Sequence, residues 1–96
     1  MPNVRFSARA LKGLDRIFDF IAEHHPDLAL RSAEVIIDAT AVLQRHPLIG
    51  RPVEGSLREL VISHGPIGYI ALYRFISAED RVEILAIRHQ REAGFK

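Results

Sequence analysis

The sequence predicts an α+β fold, in which a short N-terminal strand and an antiparallel helical hairpin pack on a three- to four-stranded antiparallel sheet. Three observations carry that expectation. Residues 57–88 hold three runs rich in Val, Ile, Leu, Tyr and Phe, at about 57–63, 69–76 and 81–88. They are separated by His64-Gly65-Pro66-Ile67-Gly68 and by Ser77-Ala78-Glu79-Asp80. Short apolar runs bounded by Gly, Pro, Asp and Ser are strand signals, and gaps of this size suit hairpins, so the runs read as an antiparallel meander. Upstream, two stretches place apolar residues at spacings of three and four, the mark of amphipathic helices. A single proline, Pro26, punctuates the two.

In chain order, Val4-Arg5-Phe6 is an extended run at about 3–6, and Ser7 is placed to cap a helix. From Ala8 to about His24 the apolar stripe is Leu11, Leu14, Ile17, Phe18 and Ile21, with Lys12, Asp15, Arg16, Asp19 and Glu23 opposite. Gly13 weakens this helix by roughly 1 kcal/mol relative to Ala and admits a close approach to a neighbour. Pro26 ends it, and Asp27 is placed to cap a second helix running to about Arg45, with the stripe Ala29, Ala33, Ile36, Ile37, Thr40 and Leu43. Helices joined by so few residues form an antiparallel hairpin, and the small Ala29 and Ala33 favour close packing. Residues 46–56, HPLIGRPVEGS, carry two prolines and two glycines and read as a loop, and residues 90–96 as a short tail. No composition break divides the chain, so residues 1–96 are expected to form a single domain.

The last two strands can be registered on paper. Closing them around residues 77–80 sets Phe75 opposite Val82, Arg74 opposite Glu83, Tyr73 opposite Ile84, Leu72 opposite Leu85 and Ile70 opposite Ile87. Charge then meets charge and apolar meets apolar. This places Ile70, Leu72, Leu85 and Ile87 on one face and Tyr69, Tyr73, Phe75, Val82, Ile84 and Ala86 on the other. Both faces are largely apolar, so the face away from the helices calls for a smaller cover or a partner chain.

Composition narrows the function classes. There is no cysteine, which excludes a disulfide framework or a thiolate metal site and fits a reducing compartment. No apolar run approaches the roughly 20 residues of a membrane helix, and no signal-type segment opens the chain, so a soluble cytoplasmic protein is expected. The net charge of +1 argues against a general nucleic-acid binder, but residues 15–38 carry six acidic side chains against two basic ones. The compensating positive charge gathers on the sheet and tail, at Arg74, Arg81, Arg88, Arg91 and Lys96. A basic patch there suits an acidic partner or a nucleic acid, although arginines solvating a sheet edge give the same pattern.

Phosphate-loop, dinucleotide and hydrolase-elbow motifs are absent. His24-His25 is expected to complement a helix C-terminus or to be solvated, since adjacent helical residues point apart and cannot share a metal. His46 and His64 are read as solvated loop residues. No cofactor or metal is implied. The constellation with chemical potential is Arg58, Arg74, Arg88, His89 and Arg91: strand-borne arginines hold a phosphate or carboxylate bidentately, and a histidine transfers a proton near neutral pH. That is the outline of a metal-free ribonuclease. Against it, Arg74 has Glu83 to pair with, and Arg58 has Glu59 or Glu54. Tyr69 and Tyr73 share a face and read as core or as base-stacking platforms.

The order of elements and several phrases resemble the ParE/RelE toxins of bacterial toxin–antitoxin modules, also called plasmid-stabilisation proteins. The phrases are Val4-Arg5-Phe6-Ser7, then Ala10, Asp15 and Ile21, His46-Pro47-Leu48-Ile49-Gly50-Arg51-Pro52, Leu57-Arg58-Glu59-Leu60-Val61, Tyr69 to Tyr73-Arg74, and Ile84-Leu85-Ala86-Ile87-Arg88-His89. The resemblance implies a RelE/ParE-like fold and a growth-inhibiting toxin held inactive by a cognate antitoxin. The antitoxin's extended or helical segment would cover the open sheet face and bring acidic residues to the basic patch. ParE-like members poison DNA gyrase, whereas RelE-like members cut messenger RNA on the ribosome. The ribonuclease branch places an arginine after the tyrosine opening the middle strand, where this chain has Ile70. Its lysine-bearing loop holds only Arg51 here, and its C-terminal tyrosine has no counterpart after His89. The ParE-like branch is therefore favoured, with Arg58, Arg74, Arg88, His89 and Arg91 meeting target or antitoxin, the helical hairpin contributing to gyrase contact, and no membrane or sequence-specific DNA binding. In the ribonuclease alternative, His89 and Arg91 would be catalytic; a further alternative is an inactive antitoxin-binding remnant.

Overall fold

The computed structural model describes residues 1–64, 67–91 and 94–95, with His64 and Ile67 described as backbone only. The element order is β1 (Asn3–Phe6), α1 (Ala8–His24), α2 (Pro26–Ala41), β2 (Arg51–Pro52), β3 (Leu57–His64), β4 (Ile67–Ile76) and β5 (Arg81–His89). The strands form one mixed sheet in the order β1-β5-β4-β3-β2, and β1 runs parallel to β5. The expected meander is thus its antiparallel centre. It is extended by the N-terminal strand on one side and by a two-residue strand from the loop on the other, giving five strands rather than three or four.

Alternation along the strands and the two stripes of the helices close on one core. Val4 and Phe6 on β1, Val82, Ile84 and Ile87 on β5, Tyr69, Ala71, Tyr73 and Phe75 on β4, and Leu60 and Ile62 on β3 face Ala10, Ile17, Ile21, Ala29, Ile36 and Leu43. Tyr69 and Tyr73 are both fully buried, so they are core, as the apolar reading required.

Ser7 caps α1 as expected: its hydroxyl accepts the Ala10 N–H at 3.0 Å. The same hydroxyl donates to the Leu85 carbonyl at 2.9 Å, 78 residues away. Gly13 makes its close approach to β5 rather than to α2, since a Cβ there would stand 2.8 Å from the Ile87 carbonyl oxygen. Within the expected α1 stripe, Ile17 and Ile21 are buried and Leu14 is half-buried, but Leu11 and Phe18 remain exposed. Ala10 and Gly13 take their places because the helix lies too close to β5 for large side chains.

Four expectations are corrected. The cap of α2 is His25, with Pro26 at the first helical position and Asp27 inside the first turn. A proline has no N–H to satisfy there, and this moves the cap two residues upstream of Asp27. The α-helix ends at Ala41 and tightens into a 3₁₀ turn over Val42–Gln44 instead of continuing to Arg45. His64, read as a loop residue, ends β3, and Ile67 and Gly68, also expected in the connection, open β4; residues 65 and 66 lie outside the described residues. The β4–β5 register matches the paper pairing for Phe75–Val82, Arg74–Glu83 and Tyr73–Ile84, then slips.

Leu72 pairs with Ala86, and Ile70 pairs with Arg88, because a bulge leaves Leu85 as an extra residue. Alternation beyond the bulge is inverted, so Ile87 turns to the helices and Ala86 to the opposite face. The Leu85 carbonyl, at the bulge, is the one that the Ser7 hydroxyl satisfies.

Candidate functional site

The sheet register divides four of the five singled-out residues between two faces. Arg74 and Arg88 stand on the face away from the helices, whereas Arg58 and His89, opposite the buried Tyr73 and Tyr69, stand on the helix side. Arg91 is exposed in the turn after β5.

On the open face, Arg74 holds Glu83 through Nε and Nη2, each 2.8 Å from Oε1, which is the pairing the alternation of charges suggested. Arg81 reaches Glu79 and lies 3.3 Å from the other Glu83 oxygen, and Arg5 on β1 registers beside Glu83. Arg88 packs its guanidinium 5.1 Å from the Phe95 ring centroid, so Phe95 lies over this arginine. Its Nη1 donates to the His89 and Gln90 carbonyls at 3.4 and 3.3 Å. Ile70, Arg88's cross-strand neighbour, is buried. The open face is thus a basic surface with partners of its own. Arg5 and Arg81 belong to it although neither was among the candidate site residues; their alternation with Glu83 was the available sign.

Arg58 does not pair with Glu54 or Glu59. Its Nη1 donates to the Leu48 and Gly50 carbonyls at 3.0 and 2.8 Å, while Arg51 takes Glu59 at 2.7 Å. The Gly50 N–H in turn donates to the Tyr73 hydroxyl at 2.8 Å. A Cβ at Gly50 would sit 2.5 Å from the Tyr73 ring, so glycine is the residue that lets the loop reach this hydroxyl. The result is a clamp that fixes His46–Arg51 against the sheet. It presents Leu48 and Ile49, 58% and 57% exposed, on a held loop beside a cavity of about 420 Å³ lined by His46, Pro47, Leu48 and Ile49. Burial raises the Tyr73 phenol above its ordinary pKa, against the lowering influence of the Gly50 bond and the Arg58 charge.

His89 is half-buried at the end of β5. Its Nδ1 accepts the Arg91 N–H at 3.1 Å, which assigns the proton of the neutral ring to Nε2. The ring is tilted against Phe20 at 5.3 Å and meets the edge of Tyr69 at 6.0 Å; Phe20 also stacks on His24 at 4.2 Å. His24 Nδ1 lies 2.9 Å from the Phe20 carbonyl near the end of α1, in keeping with a histidine that completes a helix C-terminus. The Tyr69 hydroxyl is buried and has no hydrogen-bond partner among the described residues, and burial pushes its pKa up to about 12. Among the described residues, no three His, Asp or Glu side chains are grouped to hold a metal ion, and no helix is long and apolar enough to cross a membrane.

Comparison with known proteins adds the family. Residues 4–94 match the family model described as the ParE toxin of type II toxin–antitoxin systems, parDE. The toxin RelE3 of Caulobacter vibrioides is 32% identical over 92 residues, covering 96% of this chain and 98% of that protein. A chain from the chromosomal ParDE toxin–antitoxin system of P. aeruginosa superposes with a TM-score of 0.75 at 26% identity, over 93% of this chain and 96% of the other. The intact E. coli RelBE toxin–antitoxin complex contains a chain with a TM-score of 0.64, covering 96% of this chain and 100% of that one. At 14% identity this likeness shows the fold alone.

Proposed function

The chain belongs to the ParE toxin family of type II toxin–antitoxin systems, and on that premise we propose that it inhibits growth in the cytoplasm by poisoning DNA gyrase until a cognate antitoxin neutralises it. One observation carries the choice of gyrase over RNA. The only histidine among the candidate catalytic residues, His89, lies on the helix side of the sheet with Nδ1 engaged by a backbone N–H, whereas Arg74 and Arg88 lie on the opposite face. General acid–base catalysis needs the proton carrier within hydrogen-bond reach of the same phosphate that the arginines hold. Arg74 and Arg88 project from one face of the sheet and His89 from the other. Arg58 is held to the loop instead, its Nη1 donating to the Leu48 and Gly50 carbonyls. Inhibition by surface contact needs no such convergence. The exposed apolar side chains of the hairpin, Leu11, Phe18, Leu30 and Ile37, and the held Leu48–Ile49 tip offer surfaces for it.

The test is a DNA gyrase supercoiling assay with the purified chain, with and without the antitoxin encoded beside it. Inhibition with trapped cleaved DNA, reversed by the antitoxin, is the expected result. Absence of any effect at large excess of folded protein would reject gyrase as the target. The basic open face supports a second reading, ribosome-dependent cleavage of messenger RNA. That reading requires His89→Ala to abolish cleavage with the fold retained.

A further inference from the structure

The loop between α2 and β2 combines two features that loops rarely combine, large exposed apolar side chains and a backbone held in place. Leu48 and Ile49 stand in the solvent although their neighbours Leu43 and Gly50 are buried. The chain is tied at each step around them. The His46 N–H donates to the Val42 carbonyl at 2.9 Å, and the Ile49 N–H donates to the His46 carbonyl at 3.1 Å, which closes a turn over residues 46–49. Beyond the turn, the Arg58 guanidinium takes the Leu48 and Gly50 carbonyls, and the buried Tyr73 hydroxyl takes the Gly50 N–H. Arg51 then enters the sheet opposite Glu59.

A tyrosine hydroxyl in the core and a half-buried arginine on β3 are thus both directed at one surface loop. Packing of the sheet does not require either polar group. Their effect is to fix the direction in which Leu48 and Ile49 project before anything binds. Ordering a loop and its side chains is a large part of what association costs, and a tip ordered in advance avoids it. Large side chains set centrally in a partner's pocket are also where binding energy concentrates.

Shape and charge select the kind of partner. A projecting turn is convex, so it needs a concave pocket, and a concave pocket requires a folded protein. An extended or helical antitoxin segment is itself convex and needs a groove or a sheet edge instead. Residues 45–53 carry Arg45 and Arg51, both exposed, and no acidic side chain, which favours a pocket with an acidic rim. A second copy of this chain fits poorly, because the cavity of about 420 Å³ beside the tip is lined by the tip's own residues and an approaching copy would bring the same two arginines to it.

We propose that Leu48 and Ile49 are the anchor by which this chain engages its target, both side chains entering a preformed apolar pocket with an acidic rim on DNA gyrase. The assignment rests on the gyrase reading above.

Supercoiling inhibition, melting temperature and antitoxin affinity, measured side by side on the parent and its variants, test it. Leu48→Ser with Ile49→Ser should raise the half-inhibitory concentration about tenfold or more, with melting unchanged and antitoxin affinity within about twofold, and each single substitution should give a smaller loss. Arg58→Ala keeps both apolar side chains but frees the loop, so it should weaken inhibition by about threefold to tenfold. Full inhibition by the folded double variant overturns the inference and leaves gyrase as the target. An equal loss of antitoxin affinity assigns the tip to the antitoxin and overturns it as well. A parent chain that does not inhibit gyrase removes the reading on which the inference rests.

Discussion

Two buried tyrosines, four residues apart on one strand, should respond oppositely to loss of their hydroxyls. Tyr73 accepts the Gly50 N–H at 2.8 Å, and both residues are buried. Tyr73→Phe strands that N–H without an acceptor, an effect of about 1–3 kcal/mol, and loosens the loop that Arg58 also holds. Tyr69 has an equally buried hydroxyl with no partner among the described residues, so Tyr69→Phe removes a desolvated polar group and should stabilise by about 1 kcal/mol. For a domain of this size each kcal/mol moves Tm by about 4–8 °C, so the variants should melt on opposite sides of the parent. Burial also pushes the Tyr69 pKa to about 12. Between the ordinary tyrosine value near 10 and that value, the unfolded chain loses its proton first. Stability therefore falls as pH rises through this window, by up to about 1.4 kcal/mol per pH unit, and is unaffected by this group below it. Tyr69→Phe should flatten that alkaline limb. Urea and thermal denaturation from pH 8 to 12 measure both effects. Equal destabilisation by the two substitutions at neutral pH would refute the reasoning, since it would mean that the Tyr69 hydroxyl is satisfied.

Three further outcomes follow from particular contacts. Gly13→Ala should destabilise by about 1–3 kcal/mol in chemical denaturation although alanine favours a helix, because its Cβ meets the Ile87 carbonyl at 2.8 Å and α1 must lift off β5. Ser7→Ala loses both the cap of α1 and the donor that satisfies the Leu85 carbonyl at the bulge, and should cost about 2 kcal/mol, with faster exchange at the Ala10 amide. Arg58→Ala should leave the sheet folded but free the loop, so limited proteolysis near Leu48–Ile49 should accelerate several-fold over the parent.

The paper register failed at one residue, for a reason no pairwise rule contains. Matching Arg74 with Glu83 was correct, and uninterrupted alternation from there led to Ile70 opposite Ile87. At the bulge that intervenes, the Ser7 hydroxyl donates to the Leu85 carbonyl from nearly the other end of the chain. Arg58 shows the same limit. Glu54 and Glu59 were its neighbours in sequence, but the loop between β2 and the helices supplied carbonyls that only the folded chain brings within reach.

By itself the sequence determined the elements and the family phrases, because helix and strand periodicity, caps and turn residues act within a few positions of one another. It also determined that Tyr69 and Tyr73 share a face, since alternation within one strand is local. Tertiary structure alone decided that Arg74 and Arg88 stand apart from Arg58 and His89, that β1 joins β5 in parallel, and that β2 pairs with β3 at Arg58 and Glu59. Those outcomes depend on strand order and on one extra residue in a ladder, which are set by the packing of α1 onto β5 and by hydrogen bonds between residues far apart in the chain.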